Sequence, residues 1–188
     1  MLRIAAFALL LTACGIRNSL PPLVQAARNG RVDLIPTLVK NGADPNEHAG
    51  VNGWTPLMHA IHKHQLGSVS ALLDAGADIN GRSPEGSTAL MMAAGYGYVD
   101  VVILLLKRGS DAHAELADGS NALTFAVMGA PDIDRFTALD CQGPLIKALL
   151  ERAPDLKLRG TDRVLRTIAA TKLKGCAGIA QLTGTRFP

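Results

Sequence analysis

The chain has 188 residues and a formal net charge of +3, and 48% of its residues are hydrophobic whereas only 4% are aromatic. So few aromatic rings leave no platform on which bases could stack, which disfavours nucleic-acid binding. Patterns typical of serine hydrolases, zinc proteases, P-loop proteins and dinucleotide-binding proteins are absent from the sequence, so an enzyme is the disfavoured class and no cofactor is expected.

Residues 1–13 are predicted to be a signal peptide for secretion. Arg3 gives the segment a positive start, and residues 4–11 form an apolar run. This run falls far short of the roughly 20 apolar residues that a membrane-spanning helix needs. The segment is therefore expected to direct export and not to remain as a transmembrane helix.

The end of this segment, Leu11-Thr12-Ala13-Cys14, resembles the bacterial lipobox. The resemblance implies cleavage before Cys14, acylation of that cysteine and a short tether over residues 14–20. Several acyl chains are enough for stable membrane anchoring. Gly15, where some lipoproteins have Asp, resembles lipoproteins that are sorted to the outer membrane, on its periplasmic face. An ordinary signal peptide with a coincidental cysteine is the alternative.

From residue 21 onwards the chain repeats itself. Gly53, Gly86 and Gly119 are spaced 33 residues apart, and each precedes a helix-start pattern that is complete only as Thr55-Pro56-Leu57. A fixed period of this size indicates stacked repeats. A second pattern, of the type Gly-Ala-Asp-x-Asn, starts at Gly42, Gly76 and Gly109.

Each repeat is expected to contain two helices that cannot bury their apolar faces alone. Small pairs such as Ala93-Ala94 let the first helix approach its neighbours, while Val102 and Leu105 contribute to an apolar face on the second. A glycine after the second helix suits a left-handed turn, and the Asp/Asn-rich stretch that follows leads into a hairpin-like loop. Neighbouring units must therefore shield one another, and the end of the array needs a cap.

The same residues resemble the ankyrin repeat over residues 21–158. The resemblance implies an all-α ankyrin-repeat solenoid of four units. Unit four would contain an insertion near residues 129–143, followed by its second helix at residues 147–155. The four units are expected to cover residues 21–46, 55–80, 88–113 and 121–157.

The C-terminal region departs from the repeat pattern. Residues 162–171 and 174–182 are interpreted as a degenerate fifth unit that caps the array, so the repeat domain would extend over residues 21–188. If Cys14 is the lipid site, Cys141 and Cys176 remain as an even pair in an oxidising compartment. We predict a disulfide between them, and two buried free thiols are the alternative.

Three histidines of unit two are the candidate metal ligands. His59 and His62 share one helix face, and His64 follows closely. Ankyrin-like units often carry a histidine directly after Thr-Pro-Leu that is hydrogen-bonded between repeats. Here Met58 occupies that place and His59 comes next. The structural role is favoured, and no metal site is expected.

The ankyrin resemblance implies a protein partner, bound by the loop tips and by the exposed side of each first helix. Trp54 is the only tryptophan of the chain, and protein interfaces concentrate binding energy in such residues. A tryptophan that lies flat over the neighbouring loop is the alternative. The expected contact residues are Arg28, Asn29, Asn52, Trp54, His62, Lys63, Glu85, Ser87, Tyr96, Asp118 and Ser120, with Phe136 of the insertion.

Three hypotheses for the function follow from these features. The first is an immunity protein similar to the lipoproteins that neutralise lipase effectors of type VI secretion systems. The second is a periplasmic accessory factor that stabilises or docks a redox enzyme such as a catalase. The third, from another class, is a hydrolase with an unrecognised site. The expected partners are a protein, which is a toxin or a periplasmic enzyme, and a membrane through the lipid anchor; no nucleic acid is expected, and the free chain is expected to be a monomer.

Overall fold

The computed structural model describes residues 20–128 and 142–161. The predictions for Cys14, Phe136, Cys141 and Cys176 and for the C-terminal cap lie outside these residues. Eight helices and no strand occur in the described ranges, which confirms the all-α prediction. The helices are α1 Pro22–Arg28, α2 Ile35–Lys40, α3 Pro56–His62, α4 Leu66–Asp74, α5 Ala89–Tyr96, α6 Val99–Lys107, α7 Ala122–Met128 and α8 Gly143–Arg152.

The helices form two layers. The first helices of successive units pack on one another in the order α1, α3, α5 and α7, and the second helices pack in the order α2, α4, α6 and α8. The core lies between the layers, where the leucine that follows each helix start is fully buried at Leu57, Leu90 and Leu123. The described part of the chain is thus a helical solenoid in which each unit completes the core of its neighbour.

The first helices begin where the sequence pattern places them. The Thr55 hydroxyl accepts a hydrogen bond from the backbone N–H of Met58 at 3.3 Å, and Thr88 caps α5 in the same way. Such N-caps typically stabilise a helix by about 1 kcal/mol. In unit four the Asn121 side chain replaces threonine and accepts from the Thr124 N–H at 3.1 Å. The incomplete copies of the pattern in units three and four therefore still provide a capping side chain.

The units are joined by glycine turns and short hairpins. Gly42, Gly76 and Gly109 follow the second helices with φ angles of 95°, 92° and 89°, in the left-handed region that glycine adopts at low cost. Each hairpin then closes on a single antiparallel bridge. The bridges pair Ala49 with Trp54, Arg82 with Thr88 and Glu115 with Asn121.

Asparagine side chains fix the alignment of successive loops. The Asn46 carbonyl oxygen accepts a hydrogen bond from the backbone N–H of Asp78 at 2.7 Å. One unit further, Asn80 accepts from the backbone N–H of Asp111 at 2.9 Å. The same contact thus recurs at two consecutive junctions.

Unit four departs from its predicted boundaries. Its second helix, α8, spans Gly143–Arg152, so it begins and ends earlier than the predicted 147–155. Pro144 stands in the first turn, where its missing N–H costs no helical hydrogen bond. Among the described residues no helix has the length and hydrophobicity required to span a bilayer.

Candidate protein-binding surface

A buried histidine connects the first two units. His59 is 3% exposed, its Nδ1 lies 3.2 Å from the Arg28 guanidinium, and its Nε2 lies 3.0 Å from the carbonyl oxygen of Ala49. Because a guanidinium can only donate, Nδ1 must accept, and Nε2 must carry the proton that is donated to Ala49. His59 is therefore a neutral imidazole in the tautomer that carries its proton on Nε2.

The surroundings of His59 oppose its protonation. Burial lowers the pKa of the imidazole, and the positive charge of Arg28 and the neighbouring His62 act in the same direction, while the Ala49 carbonyl acts against them. Both ring nitrogens are occupied by protein groups, so His59 has no free ligand atom for a metal. Within the described ranges no group of three or more His, Cys, Asp or Glu side chains is placed to hold a metal ion.

Trp54, His62 and Tyr96 form a contiguous group of rings, here called the aromatic cluster. The Trp54 and His62 ring centroids are 5.2 Å apart, and those of His62 and Tyr96 are 5.7 Å apart with the planes at 67°. The Nδ1 atom of His62 is also hydrogen-bonded to the Tyr96 hydroxyl at 2.9 Å. All three side chains are half-buried. The cluster thus combines apolar ring surface with polar tips, the composition that recurs at protein interfaces.

The repeat geometry places the cluster at the junction of units two and three. Helices α3 and α5 pack side by side, and they end at His62 and Tyr96. Trp54 directly precedes the Thr55 cap, so its ring lies along α3 and also contacts His59 edge-on at 5.6 Å. The tryptophan therefore packs on the helix of its own unit.

Tyr98 and Asp100, which sequence reasoning missed, lie beside the aromatic cluster and contact His64. The Tyr98 ring stacks on Tyr96 at 5.4 Å and on His64 at 3.9 Å. His64 Nε2 in turn lies 2.9 Å from a carboxylate oxygen of Asp100 in the next unit. Hydrogen bonding to His64 and to backbone N–H groups lowers the pKa of Asp100, although partial burial acts to raise it. Ring stacking and a hydrogen bond thus link units two and three beside the cluster.

The sequence contains a signal that could have singled out His64. The equivalent position in units one and three is glycine, with φ angles of 69° at Gly30 and 75° at Gly97. His64 is the only non-glycine residue of the described part with a positive φ, at 53°. A side chain in this region is uncommon, although histidine is among the more tolerated residues. Units one and three have glycine at this turn position. A histidine there therefore indicates that its side chain makes contacts that glycine could not.

Charged residues flank the aromatic cluster on both sides. Arg28 and Lys63 belong to units one and two, whereas Glu85 and Asp118 belong to the loops that precede units three and four. None of these four forms an ion pair with another described residue. Among the expected contact residues, the positive charges therefore belong to units one and two and the negative charges to the loops before units three and four.

The remaining expected contact residues differ in accessibility. Asn29 and Asn52 are exposed and Ser87 is half-buried. Ser120, however, is only 5% exposed, and its N–H and hydroxyl both bond to the Asp118 carboxylate at 2.9 and 3.0 Å. The expectation that Ser120 contacts a partner directly does not fit this burial, because its polar groups are used to hold the turn that presents Asp118.

A comparison with protein families finds a model described as ankyrin repeats (3 copies), which matches residues 4–83 and 23–116. Similar curated proteins include the rat Ankyrin repeat and SAM domain-containing protein 6, 41% identical over 68 residues that make up 36% of this chain and 8% of that protein. Human 2-5A-dependent ribonuclease is 38% identical over 77 residues, 41% of this chain and 10% of the ribonuclease. Ankyrin repeat domain-containing protein oryK of Aspergillus oryzae is 38% identical over 85 residues, 44% of this chain and 12% of that protein. The chain thus spans only a small part of the length of these relatives.

Proposed function

Because the chain belongs to the ankyrin-repeat family, whose stacked units present extended protein-binding surfaces, we propose that it captures and neutralises a toxic enzyme at the periplasmic membrane. In this proposal it is a lipid-anchored immunity protein and not an enzyme. It acts by covering the active site or the membrane-binding face of the toxin. The array supplies the binding surface, and acylated Cys14 supplies the location.

The observation that carries the proposal is the half-buried aromatic cluster. Trp54, His62 and Tyr96 contact one another across two units, so a partner meets a rigid group of rings and loses little side-chain entropy on binding. Tyrosine and tryptophan are the side chains that most often dominate binding energy at interfaces. The cluster is therefore expected to be the centre of the interface.

The charges around the cluster favour one orientation of the partner. Arg28 and Lys63 would face acidic groups, whereas Glu85 and Asp118 would face basic groups. Rim charges of this kind mainly raise the association rate and set the register of the complex. A toxin that binds this surface is thus expected to carry both signs of charge around an apolar centre.

The location follows from the sequence. The lipobox resemblance at residues 11–14 supports a membrane anchor, and Gly15 supports the periplasmic face of the outer membrane. A lipase that attacks bacterial membranes would act at that surface, so an anchored binding protein would be concentrated at its target. Replacement of Cys14 by Ser is expected to release the protein from the membrane fraction and to weaken protection of the cell while leaving affinity for the toxin unchanged.

The test measures binding to, and inhibition of, a purified bacterial lipase of the secreted type, with and without the repeat protein. Trp54→Ala combined with Tyr96→Ala is expected to weaken binding by about tenfold or more, since central interface residues are typically worth 1–2 kcal/mol or more. Ile103→Ala, at a partly exposed position of α6 in the outer layer, is the matched control and should leave affinity within about twofold. Tight binding of the double variant would exclude this surface.

Charge reversal gives a second set of variants that should fold normally, because Lys63 and Glu85 are exposed. Lys63→Glu and Glu85→Lys are each expected to slow association by several-fold and to reduce its dependence on salt. Capture of a catalase or peroxidase without inhibition would replace the immunity role with the accessory one. Turnover of lipid or peptidoglycan by the purified repeat protein alone would contradict a non-enzymatic role.

A further inference from the structure

Four asparagines of the chain are followed by glycine. In such pairs the backbone nitrogen of the glycine can attack the asparagine side-chain amide, and the absence of a Cβ on the glycine leaves this approach unhindered and the backbone free to rotate. The sequence therefore gives four candidate sites of similar intrinsic reactivity. They are Asn29-Gly30, Asn41-Gly42, Asn52-Gly53 and Asn80-Gly81.

In the folded structure the four sites differ in whether the attacking glycine N–H group is hydrogen-bonded. The N–H groups of Gly42, Gly53 and Gly81 each donate to a backbone carbonyl, at 3.0, 3.2 and 3.2 Å. The N–H group of Gly30 donates to no carbonyl among the described residues. At the equivalent turn of unit three, the Gly97 N–H does donate, to Ala94 at 3.2 Å. The Asn29–Gly30 peptide group is thus the least restrained of the four.

The side-chain amide of Asn29 is also less restrained than that of Asn80. Asn80 is fixed because its carbonyl oxygen accepts from the Asp111 N–H at 2.9 Å. Asn29 is exposed at the C-terminal end of α1, and its amide makes no hydrogen bond to the described residues. Ring closure requires rotation of the backbone away from the observed ψ of 6° at Asn29. At Asn29 that rotation breaks no hydrogen bond of the reacting groups. At Asn80-Gly81 three such bonds stand in the way: the Gly81 N–H donates to a backbone carbonyl, and the Asn80 side-chain oxygen accepts from the Asp111 N–H and from the Ser110 hydroxyl.

We propose that Asn29 is a site of spontaneous deamidation in the folded protein and that Asn80 is protected by its contacts. The Gly30 nitrogen loses its proton and forms a bond to the Asn29 side-chain carbon Cγ. The Cγ–Nδ2 bond breaks, and the side-chain nitrogen leaves as ammonia. Water then opens the five-membered imide at one of its two carbonyls, which leaves either aspartate or isoaspartate at position 29. No oxidant or reductant takes part.

The modification changes the charge of the candidate binding surface. A new carboxylate at position 29 would stand next to Arg28, a positively charged residue of that surface. The consequence for partner binding rests on the proposed function, whereas the chemical step does not. Deamidation is measured on the purified protein without any partner. Failure of the deamidation proposal can therefore be distinguished from failure of the proposed binding function.

The experiment is incubation of the purified protein at mildly alkaline pH, followed by peptide mass mapping of the amide-to-acid mass change. Asn29 is expected to react first and Asn41 and Asn52 several-fold more slowly. Asn80 should be slower by about tenfold or more, since each hydrogen bond that must break lowers the reactive population. In protein unfolded with urea the four rates should converge, because all four share the same following residue.

Two controls make the result decisive. Asn29→Gln should remove the fast site without affecting the other three, because closure of the larger ring is much slower. Asp111→Pro removes the N–H group that holds Asn80, and it should accelerate deamidation at that residue alone. Equal rates at Asn29 and Asn80 in the folded protein, or the same ranking in the folded and unfolded chains, would overturn the proposal.

Discussion

Two junctions of the array use histidines of the same helix in opposite ways. At the junction of units one and two, His59 is buried and both of its ring nitrogens are occupied. At the junction of units two and three, His62 is half-buried and joins the aromatic cluster. The two residues lie one helical turn apart in α3. The repeat pattern thus fixes which residues can meet across a junction, whereas depth within the junction decides whether a side chain is enclosed in the array or stays partly exposed on the candidate surface.

The largest expected effect comes from breaking the buried junction. His59→Ala leaves the Arg28 guanidinium and the Ala49 carbonyl without their partner, so we expect a loss of about 2 kcal/mol in the free energy of unfolding. His62→Ala, which removes a half-exposed ring, should cost less than about 1 kcal/mol. Urea denaturation of both variants measures the difference. Equal losses would show that depth does not separate the two histidines.

The next effect is a pH dependence that belongs to His59. Its pKa in the folded protein is lowered from 6.5, mainly by burial and also by Arg28 and His62, so the unfolded chain binds a proton at a pH where the folded chain does not. The stabilising contribution is therefore complete above about pH 6.5 and is lost progressively as the pH falls below this value. Denaturation between pH 7 and pH 5 measures the slope, which should decrease in His59→Gln. A slope that is unchanged in this variant would contradict the assignment.

The smallest effect concerns the exposed contact of His64 and Asp100, which is an ion pair only when the imidazole is protonated. Their side chains are 45% and 46% exposed, so water and salt weaken their attraction. A double-mutant cycle with His64→Asn and Asp100→Asn should give a coupling free energy below about 1 kcal/mol. Asn is chosen at position 64 because it tolerates the left-handed backbone. When the imidazole is protonated, the coupling should decrease at high salt, and a coupling above about 1 kcal/mol would mean that the pair behaves as a buried one.

The sequence predicted the features that depend on local chemistry. Thr55-Pro56-Leu57 and Gly76 marked a helix start and a turn because capping and a left-handed backbone are properties of single residues. The regular period then predicted which helices stack. The shifted start of α8 was missed because the insertion before it breaks that period.

Contacts between side chains of different units were harder to predict. Tyr98 and Asp100 meet His64 because unit three stacks on unit two, and a linear pattern does not show which side chains meet across that junction. Ser120 was expected at the surface because it lies in a polar loop, yet it is only 5% exposed and its polar groups bond to Asp118. The lipid anchor at Cys14, the Cys141–Cys176 disulfide and the contact role of Phe136 stay predictions.

The recurring asparagine contact also bears on how such an array can change in length. Asn46 and Asn80 receive the same kind of backbone N–H group, so the boundary before a unit matches the boundary after it. Tandem duplication of residues 47–80 would preserve each of these contacts and add one module to the middle of the stack. The inserted module would carry a second tryptophan and a second pair of helix-end histidines. Elongation by copying would thereby lengthen the candidate surface and keep the asparagine contact at each loop boundary, while the His59–Arg28 contact would remain at the first junction alone.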